Sequence, residues 1–346
     1  MSYPTEAADG PREGANTKLN PYIDFDPILL NLTEIILPSG VDRISFLPVE
    51  HFEADEVQLP HVLEVLKGSG IILFENIGTS PKGIIERQKI ANGDSRALRQ
   101  FEDRETGQSP GSGFNIALQK AIYNTHAKVM PLDVIPGSEA YRQWETAYRR
   151  AHSGVLGGNT SEEAVQAFQK EQQSLFEADR IREQYALDHF AEIVDEAASH
   201  RTQRKHPNPA DLGIIFGDRH LSLFNALRLR FASEDIEVDL AFPDGVLRYG
   251  QQVYAKVMCE EDISQELWLK ALIEEMVLDF GNAPQMSTIE RREARRNLHT
   301  ELDILSLNML QGTVESLSKP DQPKQVIDER VSRIVGVGLR ATIEGA

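Results

Sequence analysis

Short, almost unbroken apolar runs alternate along this chain with segments in which apolar residues recur every three or four positions. The four clearest runs are ISFLPV (44–49), GIILFE (70–75), AKVMPLDV (127–134) and LGIIFG (212–217). Continuous apolar runs of this length are typical of strands that are covered on both faces. Two later segments, 236–242 and 251–259, also resemble strands.

Helical patterns separate these runs. LPHVLEVLKGSG (59–70) ends in glycines, and 84–124 contains two helical patterns around a Gly- and Ser-rich segment at 107–113. Thr160 and Glu163 have the spacing of a capping box, and helix formers continue from there to about residue 200, as one helix or two. Strands and helices that alternate in this way predict an α/β fold, with a mostly parallel central sheet and flanking helices.

The chain divides into three parts by composition. Residues 1–20 are polar and rich in Gly and Pro, which predicts a disordered tail. We assign 21–260 to the α/β domain and 261–346 to a helical C-terminal part. Apolar stripes at 267–280 and 298–317 suit either packing on the domain's own sheet or self-association into a homo-oligomer.

Charge and cysteine content narrow the class of protein. The formal net charge is −18, from 54 acidic and 36 basic residues, which argues against nucleic acid as a partner. Cys259 is the single cysteine, so an intrachain disulfide is impossible and a cytoplasmic location is favoured. No signal peptide is recognisable, and no apolar run reaches the ~20 residues of a membrane span.

Polar side chains follow each of the four apolar runs. In an open α/β sheet, ligands bind beyond the carboxyl ends of the strands, so these residues are candidates for a functional site. Histidines and carboxylates together suit either a divalent metal (Zn, Mn, Co or Fe) or a general base with an orienting acid. Each residue taken alone could also be no more than the start of a loop. The candidates are Glu50 or His51, Glu75, Asp133, and the triplet Asp218, Arg219 and His220.

An arginine on the long helical stretch is a further candidate. Arg182 lies one turn before Ala186 on a stripe that continues through Phe190 and Val194. An arginine that faces inward needs a carboxylate or another anionic partner. The alternative is an arginine at the edge of the stripe with its charged end in water.

Motifs at these positions resemble the TIKI/TraB family, whose relatives are the haem-binding ChaN-like proteins and the erythromycin esterases. The chain contains no P-loop and no H-E-x-x-H pattern. It does contain a G-x-x-H motif at Gly217–His220, a glutamate in IILFEN (Glu75) and an aspartate in VMPLDV (Asp133). The first G-x-x-H of the family corresponds to PVEH, which keeps His51 but has Pro48 in place of glycine.

The resemblance covers about 44–245 and implies a hydrolytic α/β domain. In DRIREQYA, Arg182 or Arg180 matches the arginine of the family. The resemblance implies a metal-dependent hydrolase acting on a small-molecule or peptide substrate. Its predicted metal ligands are His51, Glu75 and His220, and its predicted catalytic residues are Glu75, Asp133, Arg182 and His220.

Two other functions remain open at this point. One is a non-catalytic binding or scaffold protein that retains the fold, which Pro48 and the long helical C-terminal part favour. The other is a haem- or iron-binding protein like the ChaN-like relatives, which would show Soret absorbance when purified.

Overall fold

A computed structural model describes most of the chain from residue 30 to residue 318. The described residues are 30, 35–37, 41–49, 58–75, 81–106, 112–125, 127–151, 160–199, 211–217, 219–241, 248–279 and 288–318. The predicted tail at 1–20 lies outside these ranges, as do Glu50, His51 and Asp218.

The described residues contain one five-stranded sheet in which every pair of neighbours is parallel. Its strands are β1 (Arg43–Val49), β2 (Ile71–Phe74), β3 (Lys128–Pro131), β4 (Leu212–Gly217) and β5 (Glu237–Leu240). Their spatial order is β3-β2-β4-β1-β5. The predicted α/β fold with a parallel central sheet is therefore confirmed.

Both faces of the central part of the sheet are covered, which explains why β2 and β4 contain no polar side chain. In β2, Ile71 and Leu73 belong to one buried apolar cluster, whereas Ile72 and Phe74 belong to another on the opposite face. Side chains alternate between the faces of a strand, so a strand buried on both faces has no position for a polar residue.

Four helices follow β1 and β2 in the chain: α1 (Gln58–Gly68), α2 (Pro81–Ala91), α3 (Ser95–Glu105) and α4 (Ser112–Thr125). Helices α1 and α4 cover the face that includes Ile72 and Phe74. The end of α1 packs closely on β4. A Cβ added to Gly213 of β4 would lie 2.7 Å from Oγ of Ser69, the residue that follows α1. Helix α3 begins at the N-cap Asp94, whose side chain accepts from the amides of Arg96 and Ala97.

The opposite face is covered by helices from later in the chain. They are α6 (Ser161–Asp188), α7 (Phe190–Ser199), α8 (Leu221–Phe231) and α9 (Tyr249–Met258). Helix α5 (Glu139–Ala151) packs against α6 in a separate apolar cluster. Thr160 caps α6 as predicted, accepting from the amide of Glu163 at 3.2 Å. The long helical stretch is two helices, which meet at His189.

The C-terminal part is helical where it is described. It consists of α10 (Gln265–Glu274), a π-helical turn (Glu275–Asp279), α11 (Thr288–Asp303) and α12 (Leu307–Leu317). Leu269, Leu298 and Val314 belong to the same buried cluster as Phe46 of β1, so these helices share a core with the sheet. No helix among the described residues is long and apolar enough to cross a membrane.

The structure differs from the sequence-based prediction in three elements. The segment 251–259, predicted as a strand, is helical: 251–258 belong to α9 and Cys259 is its C-cap, because Tyr249, Val253 and Tyr254 with Met258 form one buried helical face. Helices α3 and α5 were not predicted. Both are rich in charged residues and bury little, so their apolar positions give a weak signal.

The strand order places a reversal of direction beside β4. From β1 the chain crosses to β2 and then to β3 at one edge, before returning to insert β4 between β1 and β2. At such a reversal, the connections leave a crevice beyond the carboxyl ends of the strands. The residues that follow β2, β3 and β4 are therefore neighbours at one edge of the sheet.

Candidate functional site

Arg182 lies at the centre of a buried polar cluster at this edge. It is 2% exposed, on the same helical face as Ala186, so the interpretation as a surface arginine at the stripe's edge is wrong. Its guanidinium donates from Nε to Asp133 Oδ1 at 3.0 Å and from Nη2 to Asp133 Oδ2 at 2.8 Å. Helix α6 thus holds the end of β3 through two parallel hydrogen bonds.

Glu75 connects the same arginine to the end of β4. Its Oε1 accepts from Arg182 Nη2 at 2.5 Å, and its Oε2 accepts from the backbone amide of Gly217 at 2.5 Å. The backbone amide of Glu75 donates in turn to the carbonyl oxygen of Ile215 at 2.9 Å. Glu75 therefore fixes the ends of β2 and β4 against each other while it contributes a charge to the cluster.

His220 completes the set of predicted catalytic residues in this cluster. It occupies the N-cap position of α8, and its ring packs edge-on against Phe216 at 5.1 Å. Nε2 lies 2.9 Å from Arg182 Nη1, and Nδ1 lies 2.9 Å from Glu183 Oε1. A guanidinium can only donate, so Nε2 is the acceptor and the neutral ring carries its proton on Nδ1.

Three residues that the sequence analysis did not single out complete the cluster. Glu183 is 0% exposed and accepts from His220 Nδ1, from Tyr254 Oη at 2.9 Å and from the hydroxyl of Ser222. Glu183 directly follows Arg182, and Ser222 lies two residues after His220, so proximity in sequence was the available signal. Tyr254 gave none, because its segment had been predicted as a strand.

The charges in the cluster move several pKa values. For Arg182, burial opposes the charged form, but Glu75 and Asp133 outweigh it and raise the pKa above its ordinary value. For His220, burial and Arg182 lower the pKa, but Glu183 with Asp179 and Glu75 outweigh them, so the net shift is upward. Burial and Glu183 raise the pKa of Tyr254 well above its ordinary value, so this phenol stays a proton donor.

The four predicted catalytic residues are in contact, whereas other candidates are not part of this cluster's core. Glu75, Asp133 and His220 all contact Arg182. Arg180, the alternative family arginine, is exposed on α6. Arg219 forms an ion pair with Asp179 at 3.3 Å instead of entering the cluster. Glu50, His51 and Asp218 lie outside the described residues, so the predicted role of His51 stays a prediction.

The described part of the cluster does not fit a divalent metal ion. Among the described residues, no group of three His, Cys, Asp or Glu side chains could hold one. The two predicted ligands that are described, Glu75 and His220, direct their accepting atoms toward the guanidinium of Arg182. A second cation between them would meet the charge of Arg182 at short range.

Comparison with known proteins gave no relative. No family model matches the chain, and no curated protein or solved structure matches it either. The TIKI/TraB resemblance of the short motifs therefore stays a prediction.

Proposed function

We propose that the chain is a hydrolase in which His220 transfers the proton, with a small molecule or a peptide as the substrate. One observation carries the proposal: a single buried arginine joins Glu75, Asp133 and His220, which follow three different strands at the carboxyl edge of the sheet. A histidine, carboxylates and a fixed cation are the groups that general acid–base hydrolysis needs.

The proposed reaction begins with a change of partner at Arg182. In the resting cluster, Nη1 of Arg182 donates to Nε2 of His220. When the carbonyl oxygen of a substrate takes that donor, the Nε2 lone pair is free to accept a proton from water. The resulting hydroxide attacks the carbonyl carbon, and the imidazolium returns the proton to the leaving atom as its bond to carbon breaks.

The neighbouring carboxylates have separate tasks in this scheme. Asp133 holds Nε and Nη2 of Arg182 and thereby fixes the planar guanidinium, so Nη1 is the donor that a substrate oxygen can take over from His220. Glu75 Oε1 lies 3.8 Å from His220 Nε2, where its charge stabilises the imidazolium that forms during proton transfer. Charge therefore develops between groups whose positions are already fixed.

The metal-dependent form of this proposal requires His51. Elemental analysis of the wild type and of His51→Ala/His220→Ala tests it. Stoichiometric metal that is lost in the double variant would support a metal-dependent hydrolase. Two metal-free proteins would leave the metal-independent scheme, in which His220 acts as the base.

A second candidate is a non-catalytic binding or scaffold protein. The observation that favours it is closure of the cluster: Glu75, the most exposed of the four predicted catalytic side chains, is only 6% exposed. Every hydrogen-bonding arm of Arg182 also has a partner within the chain. In this second candidate, the cluster fastens α6 to the ends of three strands and has no catalytic role.

A hydrolysis screen decides between the two candidates. Ester, amide and peptide substrates are offered to the wild type, to His220→Ala and to the control His189→Ala. His189 is the C-cap residue of α6, where its Nδ1 bonds to the carbonyl of Tyr185 and its ring stacks on that of Tyr185. We expect a loss of roughly 100-fold or more in His220→Ala alone. Unchanged activity in that variant rules out the proposal, and an inactive wild type favours the scaffold.

Folding of the variants is checked by circular dichroism before activity is compared. His220 is buried, so its truncation leaves Arg182 and Glu183 each without one partner. If His220→Ala does not fold, His220→Gln and Arg182→Lys replace it. Both retain a polar group in the cluster while they remove the proposed base or the planar donor.

A further inference from the structure

The carboxylate of Glu183 lies beneath His220 and receives three donors. His220 Nδ1 and Tyr254 Oη each lie 2.9 Å from its Oε1, and the hydroxyl of Ser222 donates to its Oε2. Burying a carboxylate is unfavourable unless hydrogen bonds compensate for the lost water. Here both oxygens are compensated by fixed donors.

The directions of these hydrogen bonds follow from the donor on the other side of the ring. Arg182 has no lone pair to offer, so His220 Nε2 accepts from it. A neutral imidazole has one proton, which must then lie on Nδ1 and point at Glu183. The two hydroxyls donate to the same carboxylate and lie 3.1 Å apart.

Three helices hold this arrangement in place. Glu183 belongs to α6, Ser222 to α8 and Tyr254 to α9. All three side chains are buried, and the ring of Tyr254 packs edge-on against Phe176 at 4.9 Å. Because the Glu183 carboxylate is held between three packed helices, it stays in place. A rotation of the His220 ring would therefore break the hydrogen bond between Nδ1 and Glu183.

We infer that Glu183 is a positioning residue, held by the hydroxyls of Ser222 and Tyr254, that fixes the His220 ring with Nδ1–H inward and Nε2 facing Arg182 at the sheet edge. The inference rests on the proposed function only in giving His220 a reaction to perform. The orientation and the tautomer of the ring are properties of the resting protein.

This arrangement has a consequence for proton transfer. When Nε2 takes a proton, the ring becomes an imidazolium whose Nδ1–H already faces the Glu183 carboxylate. Glu183 therefore stabilises the charged ring without moving. The raised pKa of Tyr254, caused by burial and by Glu183, keeps its hydroxyl a donor throughout.

NMR of the full chain labelled with 15N-histidine tests the inference without a substrate. In the wild type, at a pH above the folded-state pKa of the ring, we expect His220 to have a protonated Nδ1, a bare Nε2 and a strongly downfield Nδ1 proton. In Glu183→Gln, which keeps the shape of the side chain and removes its charge, we expect that proton to move upfield. A wild-type ring protonated on Nε2, or an Nδ1 proton unchanged in Glu183→Gln, would overturn the inference.

Matched controls separate positioning from general loss of stability. Glu192→Gln makes the same replacement at an exposed site on α7, and Tyr148→Phe removes a phenol hydroxyl from an exposed position on α5, as Tyr254→Phe removes one within the cluster. Neither control should alter the His220 signals. If Glu183→Gln fails to fold, the wild-type tautomer and Tyr254→Phe still decide, because an unaltered His220 spectrum in Tyr254→Phe contradicts the role of its hydroxyl.

Kinetics then separate this inference from the proposed function. If the wild type hydrolyses a substrate, Glu183→Gln should lower kcat by roughly 10- to 100-fold with little change in KM, because the ring is displaced and not the substrate. A wild type with the expected tautomer but no hydrolysis would support the positioning of His220 by Glu183 and would rule out the proposed hydrolase function. If Glu183→Gln hydrolyses the substrate as fast as the wild type does, the positioning role of Glu183 is ruled out instead.

Discussion

Arg182 donates to both carboxylate oxygens of Asp133, at 3.0 and 2.8 Å, across 49 residues of sequence. The arginine is on α6, and the aspartate follows β3. Both are buried, so neither charge can be stabilised by bulk water. Two-point arginine–carboxylate pairs fix orientation as well as distance, and this one sets the direction of the remaining arm toward His220.

Removing the arginine should strongly destabilise the protein. In Arg182→Met the buried carboxylates of Asp133 and Glu75 lose their cation, which typically costs about 3–5 kcal/mol of unfolding free energy. Urea unfolding followed by circular dichroism measures the loss. Arg180→Met, two residues earlier and exposed, is the control and should change stability by about 0.5 kcal/mol or less. Equal effects of the two variants would contradict the central role of Arg182.

His220 should make stability depend on pH in a defined direction. Burial and Arg182 lower its pKa, but the surrounding carboxylates outweigh them and raise it above 6.5, so the folded state holds the proton more tightly than the unfolded state. Its contribution is then complete below pH 6.5 and is lost as the pH rises through the folded-state pKa.

The measurement is the unfolding free energy of the wild type and of His220→Gln between about pH 5 and pH 9. The stability of the wild type relative to the variant should fall as the pH rises across this range. A difference that stays constant, or that grows toward high pH, would show that the folded state does not favour the charged ring.

Gly213 should tolerate no side chain while Ser69 is present. A Cβ at this position would lie 2.7 Å from Ser69 Oγ and 3.2 Å from its Cβ. The Ser69 hydroxyl is held by a 2.7 Å hydrogen bond to the carbonyl of Val65, so it cannot move aside freely. We expect Gly213→Ala to cost about 1–3 kcal/mol through overpacking between α1 and β4.

The double variant Gly213→Ala/Ser69→Gly tests the cause of that loss. It removes the serine atoms that the new methyl group would meet, so part of the lost stability should return, measured by the shift in the urea midpoint. If the stability losses of the two single variants simply add in the double variant, the contact between the new methyl group and Ser69 is not the cause of the loss.

Glu274, a buried carboxylate outside the Arg182 cluster, should fasten the C-terminal helices. Glu274 Oε2 accepts from the amide of Tyr249 at 2.7 Å, and Oε1 accepts from His299 Nε2 at 2.9 Å, linking α9, α10 and α11. In Glu274→Gln one accepting oxygen becomes an amide donor that faces another donor. The expected loss is about 1–3 kcal/mol in urea unfolding. Glu301→Gln, exposed on α11, should have little effect, and a comparable loss there would argue against a specific role of Glu274.

Local patterns were sufficient to predict most of the sheet. The four apolar runs correspond to β1 to β4, and their lack of alternation correctly indicated burial on both faces. They failed at 251–259, where a short apolar segment fits a strand and a helix equally well by composition. Helix α9 forms there because its apolar residues face the common core, and only packing decides between the two periods.

The candidate site was predictable to a similar extent. Glu75, Asp133 and His220 were recognised because each follows an apolar run, and Arg182 because it interrupts an apolar stripe. Glu183 was missed because a glutamate in a helix rich in charged residues gives no sign of burial. Tyr254 was missed because the wrong period was assigned to its segment.

By itself, the sequence determined which residues end the strands and which face of α6 turns inward, because both depend on periodicities that a short stretch of chain already contains. Tertiary structure decided the rest. The strand order brings β4 between β1 and β2, and the packing of α6, α8 and α9 brings Glu183, Ser222 and Tyr254 to one point. These partners are 32 to 71 residues apart in sequence, so their contact depends on the packing of whole helices and on no local pattern.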